Sequence, residues 1–185
     1  MPRYAECRLR PMLENDLGQV FQWRSSQRIR AAMFSDHVIT WEEHVKWFEK
    51  IVTGDINTQI FIFEVNKVPT GVVNLSKIDL HNRRCYWGFY VGDTSAPPGS
   101  GRAMGFLALE KVFDNMHFNK LCGEVLSSNA ISQKYHLKLG FEQEGCLKKH
   151  IFKNGRFEDV ICYGHFQEKW QEIKNRLYKT CFGEV

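Results

Sequence analysis

Three consecutive segments set the architecture of this chain: Tyr86-Trp-Gly-Phe-Tyr-Val91, Gly92-Asp-Thr-Ser-Ala-Pro-Pro98 and Gly99-Ser-Gly-Arg-Ala-Met104. They predict a strand, a short loop and a glycine turn that opens onto an amphipathic helix. The first N–H groups of a helix have no partner within it, and they lie at the positive end of the helix dipole. A strand that leads into such a turn can therefore hold a phosphate group. The turn lacks the lysine of a P-loop, and Met104 replaces the last glycine of a dinucleotide-binding turn, so neither of those classes is favoured.

Hydrophobic periodicity predicts the remaining helices and strands. Apolar residues at three- to four-residue intervals predict helices, and apolar runs between turn residues predict strands. A capping box, Thr40-Trp-Glu-Glu43, begins one helix, Gly54-Asp55 ends it, and Asn154-Gly155 predicts a tight hairpin turn. The predicted strands are Glu6–Met12, Gln59–Val65, Gly71–Lys77, Arg84–Val91, Leu121–Leu126, Phe141–Phe152 and Phe157–Phe166, and the other predicted helices are Glu14–Ser25, Gly101–Met116, Asn129–Leu139 and Lys169–Lys179.

The order of these elements predicts the fold class. The three strands that end at Val91 read as an antiparallel meander, and the strand–helix–strand unit from residue 84 to residue 126 implies a parallel pair with a right-handed crossover. We therefore predict an α/β (α+β) fold with one mixed sheet flanked by helices. The length of 185 residues fits a single domain over the whole chain, residues 1–185.

Composition and charge exclude several classes of function. The formal net charge is +4, and the basic residues are scattered, which disfavours a nucleic-acid partner. No apolar run reaches the roughly 18 residues of a membrane span. The first residues lack the apolar segment of a signal peptide, so we expect a cytoplasmic protein without a membrane partner.

The cysteines admit two interpretations. Cys146 with His150 and Cys162 with His165 are the close Cys/His pairs, and on a hairpin they could hold zinc. The six cysteines form no C-x-x-C motif, however. Reduced, partly buried thiols in a cytosolic protein are the simpler interpretation, and we predict no metal.

A second constellation follows the glycine turn: Glu124-Val-Leu-Ser-Ser-Asn129, Ala130-Ile-Ser-Gln-Lys-Tyr135 and Leu139-Gly-Phe-Glu142. Together with the turn, this strand, Asn-capped helix and Leu-Gly-Phe helix exit resemble the Gcn5-related N-acetyltransferase (GNAT) superfamily. The first motif of that family has the form Q/R-x-x-G-x-G/A. Here Ala96-Pro-Pro-Gly99-Ser-Gly101 keeps both glycines and replaces the initial Gln or Arg with Ala96. The resemblance extends from Leu9-Arg-Pro-Met12 to the Phe157–Phe166 strand.

The resemblance implies a sheet of about seven strands that splay between strands 4 and 5, with acetyl-CoA as the acetyl donor. It implies that a backbone N–H near Val91 polarises the thioester carbonyl, that Asn129 and Ser132 touch the pantetheine arm, and that Tyr135 protonates the departing thiolate. The residues implied to bind acetyl-CoA are Phe89, Tyr90, Val91, Gly99, Ser100, Gly101, Arg102, Ala103, Met104, Asn129, Ser132 and Tyr135. A packing tyrosine at position 135 and a simple helix cap at Asn129 are the structural alternatives.

Transfer to an amine also requires a group that removes the proton of the ammonium form. Glu124 lies on the strand before the tyrosine helix, and in this fold that position is near the sulfur. It could instead be a solvated or salt-bridged strand residue. His44 is the other candidate, although its place near the polar side of its helix also suits an ordinary surface histidine.

The acceptor is suggested by local segments around Arg24, His44, Ser76, Lys77 and Tyr90. These segments resemble the N-acetyltransferases of pseudaminic acid biosynthesis, a route to flagellin glycosylation. Those enzymes acetylate the 4-amino group of UDP-4-amino-4,6-dideoxy-N-acetyl-β-L-altrosamine, a nucleotide-linked amino sugar, and the five residues would face it. A diphosphate favours Arg and Lys donors. The uracil or sugar ring could lie on an aromatic platform formed by Trp23, Trp41, Trp47 or Tyr90, and core packing is the alternative role for each tryptophan.

Other functions stay open at this point. One is acetylation of a protein N-terminus, such as that of a ribosomal protein, which would need an open peptide groove. Another is acetylation of aminoglycosides or polyamines, which favour an acidic pocket, so that Arg24, His44 and Lys77 argue against it. A third is a non-catalytic acetyl-CoA sensor. A homodimer is one candidate for the assembly.

Overall fold

The computed structural model describes residues 1–54 and 56–183. The strands are β1 (Cys7–Pro11), β2 (Gln59–Val65), β3 (Val68–Asp79), β4 (Arg84–Val91), β5 (Lys120–Leu126), β6 (Glu142–Lys153) and β7 (Arg156–Phe166). The helices are α1 (Leu17–Ser25), α2 (Gln27–Ala32), α3 (Trp41–Thr53), α4 (Ser100–Glu110), α5 (Ala130–Lys138) and α6 (Gln167–Phe182). Short 3₁₀ turns cover Tyr4–Glu6 and Glu14–Asp16, and α4 continues into a π-helical segment, Lys111–Asn115.

The strands form one seven-stranded mixed sheet in the order β1-β2-β3-β4-β5-β7-β6. Strands β4 and β5 are parallel, and the other neighbours are antiparallel. The β4–β5 pairing covers only Arg84–Trp87 against Lys120–Gly123. Beyond Trp87 and Gly123 the two strands separate. This confirms the predicted fold class and the splay between strands 4 and 5.

The side chains of a strand alternate between the two faces of the sheet, and in strands such as β2 both sets are buried. Phe61, Phe63 and Val65 of β2 join the larger core, which is covered by α4 and α6. Ile60 and Ile62 of the same strand belong to a second cluster, under α1 and α3. The strands near the middle of the sheet are therefore apolar on both faces, with α4 and α6 over one face and α1 and α3 over the other.

Several predicted bounds agree with the structure and others differ. Strands Gln59–Val65 and Arg84–Val91 are as predicted, and the hairpin turn is confirmed because Asn154 and Gly155 have φ of 49° and 76°. Strand β3 is longer than predicted, and a bulge follows Ser76. Helix α2 was not predicted, since six residues with one buried side chain, Ile29, carry little periodicity. The predicted helix end at Gly54-Asp55 involves Asp55, which lies outside the described residues.

No helix within the described part of the chain has both the length and the apolar character that a membrane crossing requires.

Candidate active site

The splay between β4 and β5 opens a cleft with a volume of about 450 Å³. Its walls come from both strands, from β3, from the start of α5, and from α1, α2 and the segment after α2. The cleft brings together many of the predicted site residues, which the chain keeps far apart. They are Arg24, Ser76, Lys77, Phe89, Tyr90, Glu124, Asn129 and Ser132.

The backbone of β4 presents polar groups to this cleft. Gly92 donates its N–H to the carbonyl of Thr70, at 2.9 Å, on the β3 side. Because residues of an antiparallel pair alternate in the direction of their hydrogen bonds, the N–H groups of Val91 and Phe89 point away from β3. They point to the side where β5 has separated. The predicted N–H at Val91 is therefore available for a ligand within the splay.

Arg24 is a lining residue of the cleft and has an unsatisfied hydrogen-bond donor. Its Nη1 atom is buried and has no hydrogen-bond partner among the described residues, and the same holds for Oδ1 of Asn74. Burial lowers the pKa of Arg24 from its usual value. Both side chains line the cleft, so a bound ligand could accept a hydrogen bond from Arg24 and donate one to Asn74. Sequence reasoning did not single out Asn74, because an asparagine within a strand carries no motif.

The predicted Ser76–Lys77 pair lies on an irregular segment of β3. A bulge follows Ser76, and Lys77 has a positive φ of 48°. The Lys77 ammonium then lies 4.2 Å from the centre of the Tyr86 ring and 3.8 Å from the Glu124 carboxylate of β5. The bulge thus directs Lys77 across β4 toward the cleft.

Glu124 is the one carboxylate among the described residues that line the cleft. It is partly exposed, and its ion pair with Lys77 is long, at 3.8 Å. A carboxylate in this position can attract an ammonium group and accept its proton.

His44 does not lie on the surface, which corrects the surface alternative considered for it. Only 4% of the residue is exposed, and its Nε2 atom lies 3.1 Å from the carbonyl oxygen of Leu17. Burial lowers its pKa. His44 faces a second cavity, of about 320 Å³, which shares Arg24, Asn74 and Tyr90 with the main cleft. It lies next to the cleft and is absent from its lining.

His136 is a cleft residue that sequence reasoning missed. The Trp87 indole donates to its Nε2 at 3.1 Å, and its Nδ1 donates to the Ser132 carbonyl at 2.8 Å. Burial lowers its pKa to about 4. With both ring nitrogens satisfied in the neutral form, His136 is a structural residue and a poor candidate for the base. Its close packing against Gly123 explains the glycine there, since a Cβ atom would lie 2.6 Å from Nε2.

The glycine turn at the start of α4 borders a cavity of about 340 Å³. Gly99 adopts a left-handed φ of 96°, and the N–H groups of Gly99 and Gly101 have no acceptor among the described residues. Other N–H groups of the predicted anion site have backbone partners in this structure. The N–H groups of Ser100, Arg102 and Ala103 already donate to backbone carbonyls, and the Ser100 hydroxyl donates to Pro97. The side chains of Ala103 and Met104 are buried in the core.

Tyr135 connects the tyrosine helix to the glycine turn. Its ring packs against Phe89, with centroids 4.8 Å apart, and its hydroxyl donates to the Gly101 carbonyl at 2.6 Å. Burial raises its pKa, so the phenol stays protonated at neutral pH. Tyr135 lies outside the lining of the main cleft. It faces a cavity of about 720 Å³ that is rimmed by the basic side chains of Arg102, Lys134 and Lys138.

Asn129 caps α5, since its Oδ1 accepts the N–H of Ser132 at 3.0 Å. The structural role expected for Asn129 is therefore present, and its side chain also reaches the cleft.

The tryptophans proposed as ring platforms differ in their surroundings. Trp23 is a core residue, and its ring lies so close to Gly92 that a Cβ there would be 2.1 Å away. Trp47 lines the second cavity. Trp41 is 43% exposed and packs edge-on against Phe21.

All six cysteines are free thiols. Within residues 1–54 and 56–183, no group of three or more His, Cys, Asp or Glu side chains is placed to hold a metal ion.

These features fit acetyl-CoA. The turn offers two free N–H groups for a phosphate, β4 offers outward N–H groups along the splay, and the basic rim at Arg102 suits further anionic groups. A sheet whose strands β4 and β5 separate to form a cleft, with an anion site at the nearby glycine turn, is the architecture of an acetyl-CoA-dependent N-acetyltransferase.

The chain belongs to the GNAT acetyltransferases, because the family model of the acetyltransferase (GNAT) domain matches residues 7–142. It is 29% identical over 128 residues to the SPbeta prophage-derived uncharacterized N-acetyltransferase YokL of Bacillus subtilis, with 68% of this chain and 71% of that protein covered. It is 21% identical over 156 residues to the spermidine N(1)-acetyltransferase of Vibrio cholerae, with 84% and 90% covered.

The crystal structure of spermidine N-acetyltransferase from Vibrio cholerae in complex with CoA and spermine superposes with a TM-score of 0.83 and 22% identity. The superposition covers 90% of this chain and 99% of that one, and shows that the two share a fold. The comparisons confirm the family, the enzyme class and acetyl-CoA as the donor. They give no support to the pseudaminic acid subgroup.

Proposed function

We propose that this enzyme transfers the acetyl group of acetyl-CoA to a primary amine of a small molecule that enters the cleft between β4 and β5. The observation that carries the proposal is the placement of Glu124. It is the one carboxylate among the described cleft residues, and it lies in the splay opposite the free N–H side of β4. The spermidine N-acetyltransferase relative supports a small-amine acceptor of this kind.

Acetyl-CoA supplies an acetyl thioester, and three residues of the chain have separate roles toward it. Glu124 takes a proton from the ammonium form of the acceptor, which leaves a neutral amine that can form the new C–N bond. The Val91 N–H donates to the carbonyl oxygen as negative charge develops there. Tyr135 gives its proton to the sulfur as the C–S bond breaks, after releasing the Gly101 carbonyl.

A second acceptor class is favoured by a separate observation. The unpartnered Nη1 atom of Arg24 and the ammonium of Lys77 supply positive charge to the cleft, and Asn74 offers a free acceptor. This set suits an acceptor that carries an anionic group, such as the UDP-4-amino sugar suggested by the local sequence. A polyamine would leave the Arg24 charge without a partner.

The test is an acceptor panel. The protein is incubated with acetyl-CoA and, separately, with spermidine, spermine, a UDP-4-amino-4,6-dideoxy sugar and a peptide with a free N-terminus. Free thiol and N-acetyl product are then measured. We expect thiol release above background hydrolysis with at least one small amine, and its loss in Glu124→Gln. Acetylation of the peptide with no acetylation of any small amine would overturn the proposal.

The panel also separates the two acceptor classes. Faster turnover with spermidine or spermine than with the sugar nucleotide supports the class to which the Vibrio cholerae relative belongs. The opposite order supports the interpretation based on Arg24.

A further inference from the structure

We propose that the guanidinium of Arg28, on helix α2, binds the CoA pyrophosphate. It would take the place of the Gln or Arg side chain that the glycine-turn motif has where this chain has Ala96. The proposal concerns the donor side of the site and does not depend on which amine is acetylated. It therefore stands or falls separately from the proposed function.

The glycine turn is by itself a weak anion site in this chain. The family motif places Gln or Arg where Ala96 stands. Three N–H groups of the turn, those of Ser100, Arg102 and Ala103, are already used by backbone carbonyls. The cavity also contains the carboxylate of Asp93, which opposes the binding of an anion. The N–H groups of Gly99 and Gly101 would have to hold a diphosphate against that charge.

Arg28 brings a positive charge to this cavity from a distant part of the chain. Ser26 caps α2, and Arg28 lies in the first turn of that helix. Its Nη2 atom donates to the carbonyls of Val91 and Gly92, at 3.0 and 2.8 Å. These contacts place the guanidinium at the end of β4, on the rim of the cavity that also contains Gly99 and Gly101.

The guanidinium still has free donors in this position. Its two hydrogen bonds to protein, as described for residues 1–54 and 56–183, both use Nη2, while Nε and Nη1 keep their hydrogens for another acceptor. Arg28 is also the one cationic side chain among the described residues that line this cavity. One carboxylate oxygen of Asp93 already has partners, since Oδ1 accepts hydrogen bonds from the N–H and the hydroxyl of Ser95, both at 2.8 Å. Arg28 can thus balance the negative charge of Asp93 in the cavity and donate a hydrogen bond to a phosphate oxygen.

The experiment measures the dissociation constant of CoA by titration calorimetry for the wild type, Arg28→Gln, Arg28→Lys and a control, Arg83→Gln. Arg83 lies in the turn before β4, at the opposite end of that strand, so the control removes the same charge away from the cavity. Arg28 is exposed, and we expect the melting temperature of ligand-free Arg28→Gln to match that of the wild type.

We expect the dissociation constant of Arg28→Gln to rise by about tenfold or more at low salt, since a hydrogen bond to a charged group is lost. The dissociation constant of Arg28→Lys should lie between those of the wild type and Arg28→Gln, and that of Arg83→Gln should match the wild type. The ratio of the two dissociation constants, Arg28→Gln over wild type, should be smaller at about 0.5 M NaCl, because salt screens an exposed ion pair.

Two results would overturn the proposal. One is a dissociation constant for Arg28→Gln within about twofold of the wild-type value at low salt, because a change that small is expected for an exposed charge that does not contact the ligand. The other is a loss of affinity that is the same at low and high salt. That second result would assign Arg28 to the support of the Val91 and Gly92 carbonyls alone.

Discussion

Tyr135 of α5 donates its hydroxyl hydrogen to the carbonyl of Gly101, 2.6 Å away in the first turn of α4. This bond joins the two segments that the sequence marks most strongly, the tyrosine helix and the glycine turn. It also holds the phenol beside the turn, with Phe89 of β4 against its ring. The phenol is therefore fixed next to the glycine turn, and its hydroxyl has to leave the Gly101 carbonyl before it can donate its proton to the departing sulfur.

Tyr135→Phe should lower kcat by about a hundredfold, because the variant cannot donate a proton to the sulfur. The dissociation constant of CoA should change little, since the Gly99 and Gly101 N–H groups remain. Steady-state kinetics and calorimetry measure the two effects. Tyr4→Phe is the matched control: it removes a hydroxyl that donates to Glu110 at 2.8 Å, and kcat should not change. An unchanged kcat in Tyr135→Phe, with chemistry shown to limit the rate, would remove this tyrosine from the reaction.

Glu124→Gln should lower kcat/KM by about a hundredfold at neutral pH, because the acceptor stays protonated. The defect should shrink as pH rises toward about 10, where an alkyl amine loses its proton to solvent. A pH profile of both enzymes measures this. Glu144→Gln is the control, since Glu144 pairs with Lys120 at 2.5 Å outside the cleft. A defect of constant size across pH would point to a structural role for Glu124.

Arg24→Met should raise KM for an anion-bearing acceptor by about tenfold or more, since a charge-assisted bond is lost. It should leave the CoA dissociation constant unchanged. KM for spermidine should stay the same or fall, because the variant removes a positive charge from the cleft. The free energy of unfolding should not decrease, as the variant removes a buried donor that has no partner. An equal loss of affinity for acceptor and CoA would contradict the placement of Arg24 on the acceptor side.

Gly105→Ala should destabilise the fold by about 1–3 kcal/mol, the usual cost of an added group in a packed site. A Cβ atom at this position would lie 2.3 Å from the Tyr135 hydroxyl oxygen and 2.7 Å from Leu139. The displaced tyrosine should lower kcat as well. Gly18→Ala in α1 is the control, because its added Cβ would have no neighbour within 4 Å among the described residues outside its own stretch of helix. That variant should be neutral or more stable by up to about 1 kcal/mol in urea unfolding.

Stability should fall as pH decreases from about 6.5 toward 4. Burial lowers the pKa of His136 and of His165 to about 4, from an ordinary value of 6.5. Between those pH values the unfolded chain binds more protons than the folded one. Each histidine therefore lowers the free energy of unfolding by up to about 1.4 kcal/mol for each unit by which the pH falls. Urea unfolding at several pH values measures the slope, and His136→Gln should reduce it. A stability that is constant over this range would contradict the neutral, buried state of these rings.

Local patterns predicted much of the fold. The apolar runs at Gln59–Val65 and Arg84–Val91 gave strands with the observed bounds, because a central strand is buried on both faces and its composition is distinct. The cap at Asn129 and the turn at Asn154-Gly155 were also confirmed. Each of these signals depends on residues within a few positions of one another.

The missed features depend on contacts between distant residues. His44 looked like a surface residue on its helix, but α1 covers it and the Leu17 carbonyl lies 3.1 Å from its ring. The neutral His136, held by Trp87 from β4, left no pattern in the chain.

The sequence by itself determined the mixed sheet, the glycine turn, the tyrosine helix and the family, since periodicity, caps and turn residues act over short distances. The tertiary structure alone decided which side chains share the cleft. Arg24, Lys77 and Glu124 come from α1, β3 and β5, and they meet because β4 and β5 separate beyond Trp87. The tertiary structure also brings Arg28 of α2 to the end of β4, where its guanidinium donates to the carbonyls of Val91 and Gly92, more than sixty positions further along the chain.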